Sequence, residues 1–222
     1  AGGALNIARG HLSGAGTQTA ALAFGSLVPS VTGATEEYDG SSWSNASSNM
    51  ITGRGYMGSA GTQNAGLAYG GGTPSFKSCT EEYDGASWST QNAMIVARSG
   101  MGGGGAQDSA FAAGGTSNAG ISSCNEEYNG TSWATGGALI QARKETAGSG
   151  TQNAGLMFGG GDPAFTCTEE YNGIAWAAGG ALNTARLYLA GAVFIRGCKC
   201  CFSNRRITIN YPSRGMEWYE LD

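Results

Sequence analysis

Charge and histidine are scarce in this chain. Charged residues make up 13% of its 222 positions, about half the usual quarter, and His11 is the single histidine. One imidazole cannot serve a Ser-His-Asp or Cys-His nucleophile and a metal site together, and it gives a metal at most one histidine ligand. Positive charge is equally thin: the formal net charge is −4 and no basic cluster precedes residue 196, so a nucleic-acid footprint is missing. No apolar run approaches the ~18 residues of a membrane span. The opening, Ala1-Gly2-Gly3, has neither an initiator Met nor a signal-like pattern and falls in mid-repeat. It reads as a trimmed or fragmentary coding sequence, so the N-terminus does not report localisation. Glycine, by contrast, is abundant, at 40 of 222 residues against a typical ~7%. The glycines follow no G-X-Y period, which excludes collagen. An apolar share of 41% and an aromatic share of 9% argue against disorder.

What the chain does contain is a repeated phrase. Glu36-Glu37-Tyr38-Asp39-Gly40-Ser41-Ser42-Trp43 recurs in close form at 81–88, 126–133 and 169–176. The tryptophans Trp43, Trp88, Trp133 and Trp176 lie 45, 45 and 43 residues apart. The tyrosines Tyr38, Tyr83, Tyr128 and Tyr171 keep the same beat, as do Arg9, Arg54, Arg98, Arg143 and Arg186. A fixed period in the 40s with strand-like segments and glycine punctuation is the signature of a propeller or a similar repeat array. The length accommodates five units, at about 1–44, 45–89, 90–134, 135–177 and 178–222, in a single propeller domain.

Within the second unit, Gly55 to Ala60 form a run of small residues, and Gly61-Thr62-Gln63-Asn64 supply turn chemistry because Gly and Asn tolerate positive φ. Ala65 to Tyr69 form an apolar run that ends at Gly70-Gly71. A third run covers Ser78 to Tyr83, Asp84-Gly85 signals a hairpin of the primed type, and a fourth run starts at Ser87-Trp88. Four short antiparallel strands per unit and no helical periodicity predict an all-β fold of four-stranded propeller blades, about five in this chain. Blades converge at an axis, so the innermost strand must be slim, and glycine concentrates there (Gly100, Gly102, Gly103, Gly104 and Gly105 in the third unit). The recurring Tyr and Trp fall on the outer strands, where diverging blades need large side chains. Each buried ring removes 150–250 Å² from water, which at about 25 cal/mol per Å² is roughly 4–6 kcal/mol before entropy.

The order of these parts, an apolar run, Gly-Gly, a spacer, Tyr, Trp and then Arg, resembles the kelch repeat. The diglycines are Gly70-Gly71, Gly114-Gly115 and Gly159-Gly160, with Gly25-Ser26 in the first unit, and the resemblance spans residues 1 to about 194. It implies a β-propeller, most often of six or seven blades, that serves as a binding scaffold. The shortened Tyr-to-Trp spacing and the Gly-Thr-Gln-Asn hairpin are similar to kelch-like repeats of phage and marine microbial proteins. That likeness implies an extracellular or virion-associated setting, such as a phage fibre or a secreted surface protein.

After Phe194 the pattern gives way to Cys198-Lys199-Cys200-Cys201-Phe202-Ser203-Asn204-Arg205-Arg206. Allowed codons for this stretch, shifted by one base, spell Ala-Asn-Ala-Ala-Leu-Val-Ile-Gly-Gly, the missing apolar run with its diglycine. The same shift near the C-terminus restores a tryptophan at position 221, one repeat length after Trp176. The hypothesis is a fifth repeat translated out of frame from about residue 195, and codons incompatible with the shifted reading would end it. The Cys cluster and the basic residues Lys199, Arg205, Arg206 and Arg214 are then accidents of frame rather than a zinc or nucleic-acid site. Five units either close into a ring or form a window from a longer array; an open end exposes strand edges, so a ring that one chain does not close implies an oligomer.

The paired carboxylates Glu36/Glu37, Glu81/Glu82, Glu126/Glu127 and Glu169/Glu170 face opposite sides of a strand, so one pair cannot flank a substrate as in a glycosidase. One Glu of each pair is expected in solvent or against the repeated Arg of the same or the adjacent blade. Cys79, Cys124 and Cys167 share a position with Ala34, which points to a small buried apolar slot, and their separation forbids a disulfide. A kelch-class copper oxidase would need more His, and the Asp-Gly-x-x-Trp phrase is one residue short of a sialidase Asp-box. The most variable parts are the second-to-third-strand connections at 26–33, 72–77, 116–123 and 161–166. Phe76 and Phe165 sit there at matching places with Lys77 and Asp162 nearby, and they are the candidate ligand contacts, for stacking on a sugar or for packing on the next blade. The expectation is a non-catalytic module without cofactor or metal that binds a protein or glycan and neither nucleic acid nor membrane. The alternative is a polysaccharide hydrolase or lyase.

Overall fold

The computed structural model describes residues 2–72 and 74–191. Among them there are eighteen strands and no helix. The first sheet contains β1 (Ser13–Thr17), β2 (Ala20–Ser26), β3 (Thr32–Tyr38) and β4 (Trp43–Asn45). The second contains β5 (Gly58–Thr62), β6 (Ala65–Tyr69), β7 (Thr80–Tyr83) and β8 (Trp88–Gln91). The third contains β9 (Gly102–Ala106), β10 (Ser109–Ala113), β13 (Asn125–Tyr128) and β14 (Trp133–Thr135), interrupted by a small hairpin of β11 (Thr116–Ser117) and β12 (Gly120–Ile121). The fourth contains β15 (Ala147–Thr151), β16 (Ala154–Phe158), β17 (Thr168–Tyr171) and β18 (Trp176–Ala178). Each four-stranded sheet is antiparallel with strands in chain order, which is the architecture of a propeller blade. The fifth unit from Ala192 onward, and with it the proposed change of frame and the Cys cluster, lies outside the described residues.

The first strands stand side by side, β1 beside β5, β5 beside β9 and β9 beside β15, and they line one common cavity. They approach too closely for side chains: a Cβ on Gly148 would overlap the backbone of Gly103. Glycine is required there by space, as the taper of radial blades demands. The diglycine has a second cause. Gly71 holds φ +93°, and a Cβ on it would lie 2.7 Å from the Gly55 carbonyl oxygen, while its N–H donates to the Arg98 carbonyl of the next blade at 2.9 Å.

Tyr and Trp face each other across the outer pair of strands in all four sheets, Tyr83 opposite Trp88 for example. The indoles also reach the preceding blade: Trp88 meets Phe24, Trp133 meets Tyr69 and Trp176 meets Phe111 edge-on, at centroid distances of 5.0, 5.0 and 5.8 Å. Trp88 Nε1 donates to Thr35 Oγ1 at 3.0 Å and Trp133 Nε1 to Thr80 Oγ1 at 2.9 Å. These rings are buried, as are Tyr128 and Tyr171, whereas Tyr38 and Trp43 of the first blade are half-buried or partly open.

The charged repeats close the remaining seams. Arg9, Arg54, Arg98 and Arg143 pair with Glu36, Glu81, Glu126 and Glu169 of their own blades, all buried. Each of these carboxylates also accepts two backbone N–H groups, from Ile95 at 2.6 Å and Val96 at 3.2 Å in the case of Glu126. The arginines donate further to backbone carbonyls, Arg98 to Cys124 and Ala112. A buried ion pair persists only when its other hydrogen-bonding capacity is met, and here it is largely met. The second Glu of each pair points to the other face, and three of the four find a partner on the following blade: Tyr83 Oη donates to Glu37 at 2.6 Å, Tyr128 Oη to Glu82 at 2.9 Å, and Tyr171 Oη to Glu127. Burial and these carboxylates raise the Tyr83 and Tyr128 hydroxyl pKa values above the ordinary range.

Three local expectations are corrected. The two-residue primed turn at Asp84-Gly85 is a four-residue connection between Tyr83 and Trp88, in which only Gly85 takes positive φ. Asp84 Oδ1 accepts the N–H groups of Ala86 and Ser87 at 2.9 and 2.7 Å, so an Asx turn replaces the primed turn. At the first hairpin of that blade, Gly61 has φ +95° but Asn64 has no positive φ. The cysteines do not fill a buried slot: Cys124 is exposed and Cys79 and Cys167 are half-buried, all as free thiols. They sit where the chain enters the third strand, and it is their carbonyls that are used, each accepting the N–H of the first glycine of a diglycine.

Candidate functional site

The two ends of each blade are built differently. At one end the contacts repeat: Gln63 Nε2 donates to the carbonyls of Ala21 and Tyr38 at 3.1 and 2.8 Å, and Gln107 and Gln152 make the same pair of bonds one and two blades on. Beside them Asp39, Asp84, Asn129 and Asn172 accept the N–H groups of their own turns. Those bonds hold the exposed Asp39 carboxyl down to about 2. This end is a repeated fastening.

The opposite end carries the variable connections between second and third strands. Antiparallel strand order also puts there the segment that follows each repeat arginine. The two are stitched together by bridges between Gly10 and Val28, Gly55 and Gly72, and Ser99 and Thr116, and by the Gly161 N–H donating to the Lys144 carbonyl at 2.8 Å. Two residues after each arginine, one position from every repeat turns toward the axis: His11, Tyr56, Gly100, Glu145 and Tyr188. Their backbones form a chain of hydrogen bonds, from Tyr56 N to His11 O at 3.2 Å, Gly100 N to Tyr56 O at 2.9 Å, Glu145 N to Gly100 O at 2.8 Å and Tyr188 N to Glu145 O at 3.1 Å. All five have left-handed φ, at 58°, 53°, 65°, 51° and 55° in chain order. That conformation costs a non-glycine residue on the order of 1–2 kcal/mol.

These five residues, with the next residue of each repeat, line one cavity of about 260 Å³. The His11 and Tyr56 rings lie 4.2 Å apart, with Tyr56 Oη 3.1 Å from His11 Nε2. Glu145 is half-buried, and desolvation raises its pKa against the opposing pull of Lys144 and His11. The Tyr56 hydroxyl is raised too, first by burial and then by the nearby Glu145 and Tyr188. Lys144 is held by Asp162 at 2.7 Å, which raises the lysine's pKa.

The four loop residues expected to contact a ligand are all at this end, but they are not one cluster. Phe165 does not match Phe76. Lys77 N donates to Gly71 O and Phe165 N to Gly160 O, each at 2.8 Å, so Phe165 stands where Lys77 stands, and Ala164 takes the place of Phe76. The connection in the fourth blade is one residue shorter, which moves the aromatic ring by one position. Phe165 lies over Gly161, and both Phe76 and Phe165 are half-buried. Asp162 is exposed and serves Lys144. The axial residues Tyr56, Glu145 and Tyr188 and the cation Lys144 were not among the expected contacts. The signal of the axial residues was present in the repeat register: a position that differs in almost every unit, two residues after the invariant arginine.

No protein-family model matches this chain, and no curated protein sequence is found to be similar to it.

Proposed function

We propose that the chain is a kelch-like propeller acting as a non-catalytic binding module, of the kind carried by a phage fibre or a secreted surface protein, that takes a glycan or protein ligand at the variable end of its blades. The observation that carries this reading is the asymmetry of the repeats. One end and most seam contacts repeat in successive units, whereas the connections at 26–33, 72–77, 116–123 and 161–166 and the axial residues differ. A scaffold keeps its fastenings constant and varies what meets a ligand. The repeated carboxylates, the natural choice for a polysaccharide-cleaving alternative, are engaged with arginine, backbone N–H groups and tyrosine from Glu36 to Glu169, which supports binding over hydrolysis.

The test is a glycan and peptide array paired with a turnover assay on polysaccharide. Binding is expected to weaken with Phe76→Ala and Asp162→Ala at the variable end and to survive Asp39→Ala at the constant end. Release of reducing ends, or binding that depends on Asp39 alone, overturns the proposal.

A further inference from the structure

We infer that the axial mouth formed by His11, Tyr56, Glu145 and Tyr188 is a recognition site for an alkylated ammonium group, with the Glu145 carboxylate as its counter-charge and the neighbouring rings as its walls. This rests on the binding-module reading of the same end of the propeller.

Three observations converge on it. The first is conformational. Position +2 from each repeat arginine is left-handed in all five units, yet glycine fills it only once, at Gly100. In a chain with 40 glycines the relaxed residue was readily available. Four side chains are therefore held at a cost that glycine would remove, and they face a shared cavity rather than the core. Backbone strain kept at several equivalent positions, all converging on one space, points to a use for the side chains.

The second is electrostatic. Glu145 is half-buried, and its carboxylate accepts no hydrogen bond from another described residue, unlike the seam glutamates. The nearest lysine, Lys144, is already bound to Asp162. Lys144 and His11 pull on the Glu145 charge, but none of the described residues donates a hydrogen bond to it, and such a partly desolvated carboxylate favours a cation delivered from outside. The third is the chemistry of the walls. His11, Tyr56 and Tyr188 present aromatic surface, with two rings 4.2 Å apart beside that carboxylate. Aromatic faces attract cations, most effectively those that are weakly hydrated, as an alkylated ammonium is. The cavity, at about 260 Å³, takes a headgroup of trimethylammonium size rather than an oligosaccharide.

The experiment is titration of the full chain by calorimetry and NMR with choline, the methyl ester of trimethyl-lysine, glucosamine and N-acetylglucosamine. Choline and the trimethyl-lysine ester are expected to bind, their relative affinity telling a small headgroup from a side chain, with the amino sugar weaker and the neutral sugar inert. Glu145→Gln and Tyr56→Leu should each weaken binding about tenfold, and Tyr56→Phe should keep it within about twofold because the ring remains. The triple variant His11→Gly, Tyr56→Gly, Glu145→Gly should lose binding and melt no lower than the parent. A lower melting temperature would mark these side chains as structural and overturn the inference. So would equal binding of N-acetylglucosamine or an unchanged affinity in Glu145→Gln. If arrayed ligands bind through Phe76 and Asp162 while choline does not bind, the ammonium site alone is lost; if neither binds, the binding-module reading goes with it.

Discussion

The third blade breaks a hydrogen bond that the first and second blades keep, and repairing it makes a sharp test of how the blades are joined. The residue before each Glu-Glu pair is Thr35, Thr80, Asn125 and Thr168. Thr35 and Thr80 accept the indole N–H of the next blade's tryptophan, whereas Asn125 leaves Trp176 Nε1 without a partner. Asn125 is itself fully buried, and both its amide nitrogen and its amide oxygen lack hydrogen bonds. The amide approaches the Tyr171 hydroxyl without reaching hydrogen-bond geometry. Asn125→Thr removes two unsatisfied atoms and gives the indole an acceptor. Asn and Thr are close in volume, so no large cavity opens, and Thr is the better strand residue. An unsatisfied buried polar group costs about 1–3 kcal/mol and a regained bond returns about 1 kcal/mol, so a net stabilisation of about 2–4 kcal/mol is expected. In a domain of this size each kcal/mol moves the melting temperature by about 2–4 °C. Thermal melts and urea midpoints at unchanged m-value are the readout, with Thr80→Asn as the reverse exchange. An unchanged or lowered midpoint in Asn125→Thr, or no loss in Thr80→Asn, would refute the role assigned to the Trp–Thr bond.

Glu126→Gln removes the counter-charge of the buried Arg98 and should destabilise the fold by about 3–5 kcal/mol, read as a lower urea midpoint. Gly148→Ala forces a methyl group into the Gly103 backbone and should cost about 1–3 kcal/mol or more, seen as a lower melting temperature. Glu145 titrates above its ordinary value of 4.5 in the folded chain, so the folded state holds the proton more tightly than the unfolded one. Its contribution to stability is then complete below about pH 4.5 and is lost as pH rises through the higher folded value. Glu145→Gln should flatten that part of the stability-versus-pH curve, and an unaltered slope would contradict the assignment.

The architecture was legible because it is written locally and repeatedly. A 43–45-residue period, one apolar run ending in diglycine, and Tyr and Trp flanking an Asp-Gly or Asn-Gly step together define a blade, since strands that neighbour each other in the chain also pair in space. Even the Arg–Glu seam was foreseeable as one of two fates for the paired carboxylates, because strand neighbours must face opposite sides. The partner of the other carboxylate was not: Glu37 accepts from Tyr83, one blade away, and no spacing along the chain announces a bond from a tyrosine whose ring packs in the core. The loop residues show the same limit from the other side, since a single-residue difference in connection length decided that Phe165 answers to Lys77 rather than to Phe76.

What the sequence determined by itself is therefore the blade, its strands and most of its core. Which residues meet at the axis was decided only by tertiary structure. His11, Tyr56, Gly100, Glu145 and Tyr188 are separated by whole repeats and become neighbours because the blades pack radially and the chain turns left-handed at that one step. A periodic sequence states what each unit is; the angle between units, set by glycine backbones touching inside and indoles filling the gap outside, brings distant side chains to face one cavity.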